Sequence, residues 1–130
     1  MSSDTVSEMT MTAHVSGGGE ITAKLFKHLS PATLAKIQRS VPIIGRLNQY
    51  EKSFVYILTN VVSGEEKARR EFKRGDIAFM PSGSSICIFL EDTKSYKPMN
   101  PLGTIVSGLE SLESVKKGAI LKIESLQPSF

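Results

Sequence analysis

The turn at residues 80–85, with the sequence MPSGSS, offers the groups best suited to holding a ligand. Its three serine hydroxyls and its backbone amides can donate and accept hydrogen bonds, and Met80 and Cys87 supply an apolar floor. Met99, in the loop expected to face this turn, would add a second wall. The same residues also suit a tight turn that binds nothing, and that alternative stays open. The predicted ligand-binding residues are Met80, Pro81, Ser82, Ser84, Ser85, Cys87 and Met99.

Cysteine, histidine and glycine residues could carry other chemistry, but each has a simpler explanation. Cys87 lies in the apolar run ICIFL, and a nucleophilic cysteine would need a neighbouring base and a lowered pKa, so we predict a core residue. His14 and His28 lack the spacing of a metal-binding set, so we predict no metal and no cofactor. The glycines at 17–19 are not followed by the Lys-Ser/Thr of a phosphate loop, which favours a hairpin turn.

The charged run EEKARREFKRGD raises the question of a basic surface. Its basic side chains would bind an anion or RNA if they shared one face. Glu65, Glu66 and Glu71 dilute that positive field, so a solvated strand face that discourages edge-to-edge pairing is favoured. RNA binding by a barrel that uses this strand is retained as an alternative function. The five basic residues are Lys67, Arg69, Arg70, Lys73 and Arg74.

The composition of the whole chain is typical of one globular domain. It has 130 residues, 40% of them hydrophobic, which is enough to bury a core without cross-links. The net charge of +3 is too small to indicate a nucleic-acid partner, and there is no tryptophan for base stacking. The N-terminus lacks a signal-like apolar segment, and no apolar run reaches the ~20 residues of a membrane helix. We therefore expect a cytoplasmic monomer or homodimer that binds a peptide or a small molecule.

Two short helices are predicted in the chain. Ser30 can cap a helix and a proline follows it, so the first helix is expected at about residues 31–39. Ser107 and Glu110 stand in the S-x-x-E arrangement of a capping box, which predicts the start of the second helix. The lysine pair at 116–117 suits the negative end of that helix.

The remaining apolar segments have the patterns of short strands. MTMTAHV and EITAKLF alternate on either side of the glycines, and ICIFL is apolar throughout, as in a central strand buried on both faces. The segment EDTKSYKPMNP is polar and is interpreted as a loop. Without a βαβ rhythm, about eight short strands and two short helices predict an all-β fold, either an antiparallel β-barrel or a sandwich. Residues 1–8 are predicted to be a flexible tail, and residues 9–130 a single domain.

The C-terminal stretch NPLGTIVSGLESLESVKKGAILKIES resembles the closing segment of cyclophilins, the β-barrel prolyl isomerases. LGTIVSG follows their strand pattern F-G-x-V-V-x-G, residues 109–115 take the place of their short helix, and Gly118 precedes the closing strand. GDIAFMPSGSSICIFL is similar to a shortened form of their core strand, turn and strand. The order of elements after the tail resembles that of short prokaryotic cyclophilin-like proteins. The resemblance implies a cyclophilin-like barrel with a helix at its mouth.

The resemblance does not bring the cyclophilin reaction with it. Cyclophilins lower a barrier of ~18–20 kcal/mol with an arginine, a glutamine and an aromatic proline pocket. Ser85 and Cys87 stand where the glutamine and the pocket phenylalanine would be, and the F-H-R-I-I segment with the arginine has no counterpart. Arg46, in PIIGRLNQY, is the nearest candidate for a catalytic arginine. We therefore predict a domain that binds a peptide or small ligand at the barrel mouth, with prolyl isomerisation by replaced residues as an alternative.

Overall fold

A computed structural model of the chain describes residues 7–129, and strands dominate it. The helices are α1 (Pro31–Ser40) and α2 (Leu109–Glu113), and a 3-10 turn occupies Pro81–Gly83. The strands are β1 (Glu8–Val15), β2 (Glu20–Phe26), β3 (Ile43–Arg46), β4 (Asn48–Tyr50), β5 (Phe54–Leu58), β6 (Arg69–Phe72), β7 (Asp76–Met80), β8 (Ser85–Phe89), β9 (Thr93–Ser107) and β10 (Ile120–Pro128).

The ten strands form one antiparallel sheet that curls back on its own chain. Its order is β3-β10-β1-β2-β9-β7-β8-β5-β4, and β6 pairs with β9 beside this path. β1 and β2 form the hairpin predicted around the glycines. The two strands at the ends of the order, β3 and β4, are consecutive in the chain and are separated by Leu47 alone. The sheet therefore bends enough that its two terminal strands, β3 and β4, lie on either side of Leu47.

The all-β antiparallel class and the two helices are confirmed, but the described residues contain ten strands instead of about eight. The segment that holds β3 and β4 had no strand signal, because its Gly45 and Asn48 are poor strand formers. The predicted loop EDTKSYKPMNP is wrong for all but its first two residues, because residues 93–101 belong to the long strand β9, which pairs with β6 and β7. The predicted tail at residues 1–8 lies mostly outside the described residues, and its last residue, Glu8, begins β1.

The apolar side chains divide into two buried clusters on opposite faces of the central strands. The larger cluster fills the inside of the curled sheet and contacts both helices through residues such as Leu34 and Leu112. β8 is buried at all five positions, since Ile86 and Ile88 join the larger cluster while Cys87 and Phe89 join the smaller one. This alternation confirms that ICIFL is a central strand covered on both faces. The smaller cluster contains Phe54, Phe72, Ala78, Met80, Cys87, Phe89 and Met99.

A buried polar network attaches α1 to the sheet. The Glu66 carboxylate accepts hydrogen bonds from the backbone N–H of Ala32 (3.0 Å) and Thr33 (2.6 Å) and from the Thr33 hydroxyl (2.6 Å). Asn100, fully buried on β9, donates to Thr33 Oγ1 (3.1 Å) and to the Gly64 carbonyl (2.8 Å), and its Oδ1 accepts from Glu66 N–H (2.8 Å). Partial burial raises the pKa of Glu66, but the Thr33 and Ala32 hydrogen bonds outweigh this and leave the pKa below its ordinary value.

Both predicted caps differ from what the fold uses. Ser30 stands at the start of α1, but its hydroxyl donates to the Pro101 carbonyl (2.7 Å), and Glu66 takes the orphan N–H groups of the first turn instead. The second helix begins after Gly108, with no side-chain cap, so the predicted capping box of Ser107 and Glu110 is wrong. Ser107 is the last residue of β9, where it pairs with Thr22 on β2. Strand pairing therefore outcompetes the local cap.

Candidate functional site

The predicted ligand-binding turn lies between β7 and β8, and two of its polar groups already have partners within the fold. The Ser85 hydroxyl is buried and donates to the Gly83 carbonyl (2.9 Å). The Ser84 carbonyl accepts from the Thr59 N–H (2.9 Å) and from the Thr59 hydroxyl (2.8 Å). Ser82 is exposed and Pro81 is half-buried. Ligand binding at this turn stays a prediction, and Pro81 and Ser82 are the members best placed for it.

Three other predicted ligand-binding residues pack together inside the protein. Met80 is 7% exposed, and Cys87 and Met99 have no exposed surface, since all three belong to the smaller buried cluster. β7, β8 and β9 bring them together through their antiparallel pairing. As placed, they stabilise the core, and a ligand would have to displace them to reach the turn from this side.

Cys87 is expected to resist thiol reagents in the folded protein. Burial raises the pKa of its thiol to about 12, so the reactive thiolate at pH 8 is roughly 1,000-fold rarer than for a free cysteine. We expect the reaction with 5,5′-dithiobis(2-nitrobenzoate) to be slower by at least this factor in buffer than in denaturing urea. Equal rates in the two solvents would contradict the burial of β8 and would reopen a chemical role for this thiol.

The five basic residues of the β6 region are all engaged within the fold. Lys67 donates to the His28 carbonyl, and the Arg70 Nε donates to the Ser95 carbonyl (2.8 Å). The Arg69 guanidinium lies over the Phe72 ring, 5.0 Å from its centroid, and 3.8 Å from Asp76. Lys73 lies 3.7 Å from Asp92. Arg74 pairs with Glu113 and donates to the Leu90 carbonyl, so it ties this region to α2.

Arg46 lies in a surface cleft of about 550 Å³ that the sequence did not reveal. Two parts of the chain form it: the bend from β3 to β5 and the loop between α2 and β10. Leu47 anchors the bend, because its side chain is buried and its N–H donates to the Ala119 carbonyl (2.8 Å) of that loop. We call this the Arg46 cleft. It is lined by Arg46, Leu47, Asn48, Gln49, Val55, Tyr56, Val115, Lys116, Lys117 and Gly118.

The walls of the Arg46 cleft combine cations, amides and apolar groups. Arg46, Lys116 and Lys117 are exposed, and none of them takes part in the ion pairs found within residues 7–129. Asn48 is held in place by a hydrogen bond from its Nδ2 to the Arg46 carbonyl (3.1 Å) and by its pairing with Tyr56 across β4 and β5. The cleft can therefore accept an anion that also has an apolar part.

A second cleft shares one wall with the Arg46 cleft. It also measures about 550 Å³ and lies between the β1–β2 hairpin and α2. The residues common to both are Val115, Lys116, Lys117 and Gly118. Unlike the Arg46 cleft, it has a carboxylate in its lining, that of Glu110. We call it the hairpin cleft.

Sequence reasoning identified Arg46 but missed the residues around it. Lys116 and Lys117 were interpreted as partners of the α2 dipole, but α2 ends at Glu113 and both lysines lie in the loop beyond it. No local pattern links these lysines to Arg46, because they meet only when β3 pairs with β10, with Arg46 opposite Ile120. The pairing of those two strands was the missing information.

The described part of the chain contains no group of three or more His, Cys, Asp or Glu side chains arranged to hold a metal ion. His14 instead lies 2.7 Å from Glu124 on the neighbouring strand. None of the helices within residues 7–129 has the length and apolar character needed to cross a membrane.

The fold and the cleft define a mainly-β antiparallel domain with a cationic surface cleft and two short helices. The family model described as cyclophilin-like matches residues 9–124, and the chain belongs to the cyclophilin-like family. This agrees with the resemblance carried by its C-terminal strand, helix and strand. No curated protein sequence matches this chain.

Two solved structures share the fold. The hypothetical protein AF2241 of Archaeoglobus fulgidus, determined in solution, superposes with a TM-score of 0.78 and 24% identity, over 95% of this chain and 96% of its own. McbB in complex with tryptophan superposes with a TM-score of 0.71 and 16% identity, over 88% of this chain. The match covers 44% of McbB, so this chain corresponds to less than half of that protein. At these identities the likeness concerns the fold.

Proposed function

We propose that this protein is a ligand-binding cyclophilin-like domain without prolyl isomerase activity, and that its ligand occupies the Arg46 cleft. The observation that carries the proposal is the lining of the cleft, where Arg46, Lys116 and Lys117 lie beside amides and apolar groups without ion-pair partners among the described residues. In this proposal the curled sheet closes as a barrel at the junction of β3 and β4, and the cleft lies at that junction.

Three further points support this proposal. The cleft volume of about 550 Å³ is within the range of roughly 300–1,000 Å³ typical of small-molecule sites. McbB, which shares the fold, was solved with tryptophan, so a domain of this shape occurs in a protein that binds a molecule of that size. The chain lacks tryptophan and the cyclophilin F-H-R-I-I segment, and Ser85 and Cys87 occupy the positions of two other cyclophilin catalytic residues.

A titration followed through backbone amide NMR shifts distinguishes binding in the Arg46 cleft from binding at the predicted turn of residues 80–85. Tryptophan and the peptide Ala-Ala-Pro-Phe would be added separately to the labelled protein. We expect the largest shifts at Asn48, Gln49, Lys117 and Gly118, which line the Arg46 cleft. The proposal would be overturned by shifts confined to residues 82–85 of the predicted turn, or by the absence of shifts with either ligand at millimolar concentration.

The isomerase alternative is tested separately with a protease-coupled assay on a prolyl peptide. We expect the rate to equal the uncatalysed rate, because Ser85 and Cys87 stand where cyclophilins have the glutamine and the pocket phenylalanine, and the F-H-R-I-I segment has no counterpart. If the rate exceeds the uncatalysed rate and the substitution Arg46→Ala removes the excess, the protein is a prolyl isomerase and the proposal of binding without catalysis is wrong. RNA binding has less support, since all five basic residues near β6 have partners within the fold.

A further inference from the structure

The charge of the Arg46 cleft restricts the chemistry of its ligand. Its lining contains three basic side chains and no Asp or Glu, whereas the hairpin cleft contains Glu110 and the cleft beside β6 contains Glu71, Asp76 and Asp92. The net charge of the whole chain is only +3, so this positive charge is local. Like charges held close together without counter-charges favour an anion in the space between them.

The types of cation indicate which anion would fit. The planar guanidinium of Arg46 can donate two parallel hydrogen bonds to a carboxylate or a phosphate, and the lysine ammonium groups add point charges. The Asn48 and Gln49 side-chain amides can donate further hydrogen bonds. A neutral ligand would leave these cations without a partner and would gain little from them.

The apolar part of the lining indicates the rest of the ligand. Tyr56 and Val115, both half-buried, line the cleft beside the cations, and the side chain of Val55 is buried beneath them. Tyr56 is half-buried and packs against Phe54, with the ring centroids 6.0 Å apart, so the tyrosine ring is held in position. A fixed aromatic ring is a good surface for a second ring, which stacks on it in an offset or tilted arrangement.

From these observations we propose that the Arg46 cleft binds an aromatic organic anion, in which a carboxylate or a phosphate group is attached to a ring. This inference rests on the proposed function and specifies the class of its ligand. The anionic group contacts Arg46, Lys116 and Lys117, and the ring packs against Tyr56.

A matched pair of probes tests the charge. N-acetyltryptophan carries a free carboxylate, and N-acetyltryptophanamide is the same molecule with a neutral amide. The protein has no tryptophan, so the fluorescence anisotropy of the indole reports the probe alone. We expect the acid to bind at least tenfold more tightly than the amide in low salt, and the advantage to shrink as salt screens the exposed charges. Phenyl phosphate and inorganic phosphate, added as competitors, show whether phosphate replaces the carboxylate and whether the ring is needed.

Variants assign the effect to the cleft. Arg46→Gln, and separately the double change Lys116→Gln with Lys117→Gln, should each weaken binding of the acid about three- to fivefold and leave the amide unaffected. Arg46→Lys should bind the acid more tightly than Arg46→Gln but less tightly than the unaltered protein, since lysine keeps the positive charge but cannot donate the two parallel hydrogen bonds of a guanidinium. Lys27→Gln is the control, because Lys27 is exposed directly after β2 and lines neither the Arg46 cleft, nor the hairpin cleft, nor the cleft beside β6. Thermal unfolding of each variant verifies that it is folded.

The possible results test two claims independently: that the ligand is an aromatic anion, and that the Arg46 cleft is the binding site. Equal affinity for the acid and the amide, with NMR shifts still at Asn48 and Gln49, would overturn the anionic class and keep the cleft as the binding site. Tight binding of the acid that Arg46→Gln does not change, with shifts elsewhere, would overturn both. Binding of neither probe at millimolar concentration would also overturn both, since the cleft would then not accept the class of molecule that its lining favours.

Discussion

Replacing Gly108 with alanine should destabilise the domain by about 4 kcal/mol or more, among the largest losses that a single substitution causes. Gly108 connects β9 to α2 and has a φ of +95°, which side-chain-bearing residues rarely adopt. A Cβ atom there would lie 2.2 Å from the Glu20 carbonyl oxygen and 3.0 Å from the Ile21 Cα. Both are backbone atoms of β2, so the strand or the helix must move.

Gly118→Ala provides the matched control for this prediction. Gly118 has nearly the same φ, +89°, but a Cβ atom there would meet nothing within 4 Å. Its substitution should therefore cost only the conformational strain, on the order of 1–2 kcal/mol. Urea unfolding of the two variants gives the difference directly. Failure of the Gly108 variant to fold, beside a folded Gly118 variant, meets the expectation, whereas equal losses would show that contact with β2 is unimportant.

The same pair of glycines bears on the candidate site. Gly108 sets the direction in which α2 leaves the sheet, and the loop after α2 supplies Lys116 and Lys117 to the Arg46 cleft. Gly118 itself lines that cleft. If Gly108→Ala is studied at a temperature where it stays folded, a displaced α2 should appear as shifted amide signals for residues 114–119.

Replacing Asn100 with alanine should destabilise the domain by about 3 kcal/mol. The side chain has no exposed surface, and its three hydrogen bonds join Thr33 of α1, Gly64 and Glu66 to strand β9. A typical hydrogen bond contributes about 1 kcal/mol, and a buried group left without a partner costs about 1–3 kcal/mol. The alanine would leave the Glu66 N–H and the Gly64 carbonyl without the partners they have now, which accounts for the size of the effect.

Asn60→Ala is the control for Asn100. Asn60 is exposed, and its side chain makes no hydrogen bond with residues 7–129, so its removal should change stability by less than about 0.5 kcal/mol. Both variants can be compared with the unaltered protein by urea unfolding, with α1 followed by the NMR signals of residues 31–40. A loss below about 1 kcal/mol for Asn100→Ala would mean that water replaces the lost hydrogen bonds and that α1 is held by its apolar face.

Much of the fold could be predicted because it depends on local patterns. Alternation of apolar and polar residues around three glycines predicted the β1–β2 hairpin, and Pro31 predicted the start of α1. The uninterrupted apolar run of β8 predicted a strand covered on both faces. The C-terminal strand, helix and strand were sufficient for the resemblance to cyclophilins that the family match confirms. In each case the deciding residues are neighbours in the chain.

The errors all concern partners that are distant in the chain. EDTKSYKPMNP has too many polar residues for a strand, but it pairs with β6, which is charged at three of its four positions, so two weak segments stabilise each other. Ser30 and Ser107 have side chains that can cap a helix. The Ser30 hydroxyl instead donates to the Pro101 carbonyl, and Ser107 instead pairs with Thr22 of β2. The outcome of this competition depends on which strands pair with one another, and the pairing of distant strands cannot be predicted from a pattern within a few neighbouring residues.

The sequence by itself determined the class of this protein: an antiparallel, mainly-β, cyclophilin-like domain. The tertiary structure alone decided which side chains share a site. It placed Met80, Cys87 and Met99 in a buried cluster and brought Lys116 and Lys117 beside Arg46. The physical reason is that strand identity follows from the period of burial over a few residues, whereas a surface cleft follows from the register and curvature of strands that pair across the whole chain.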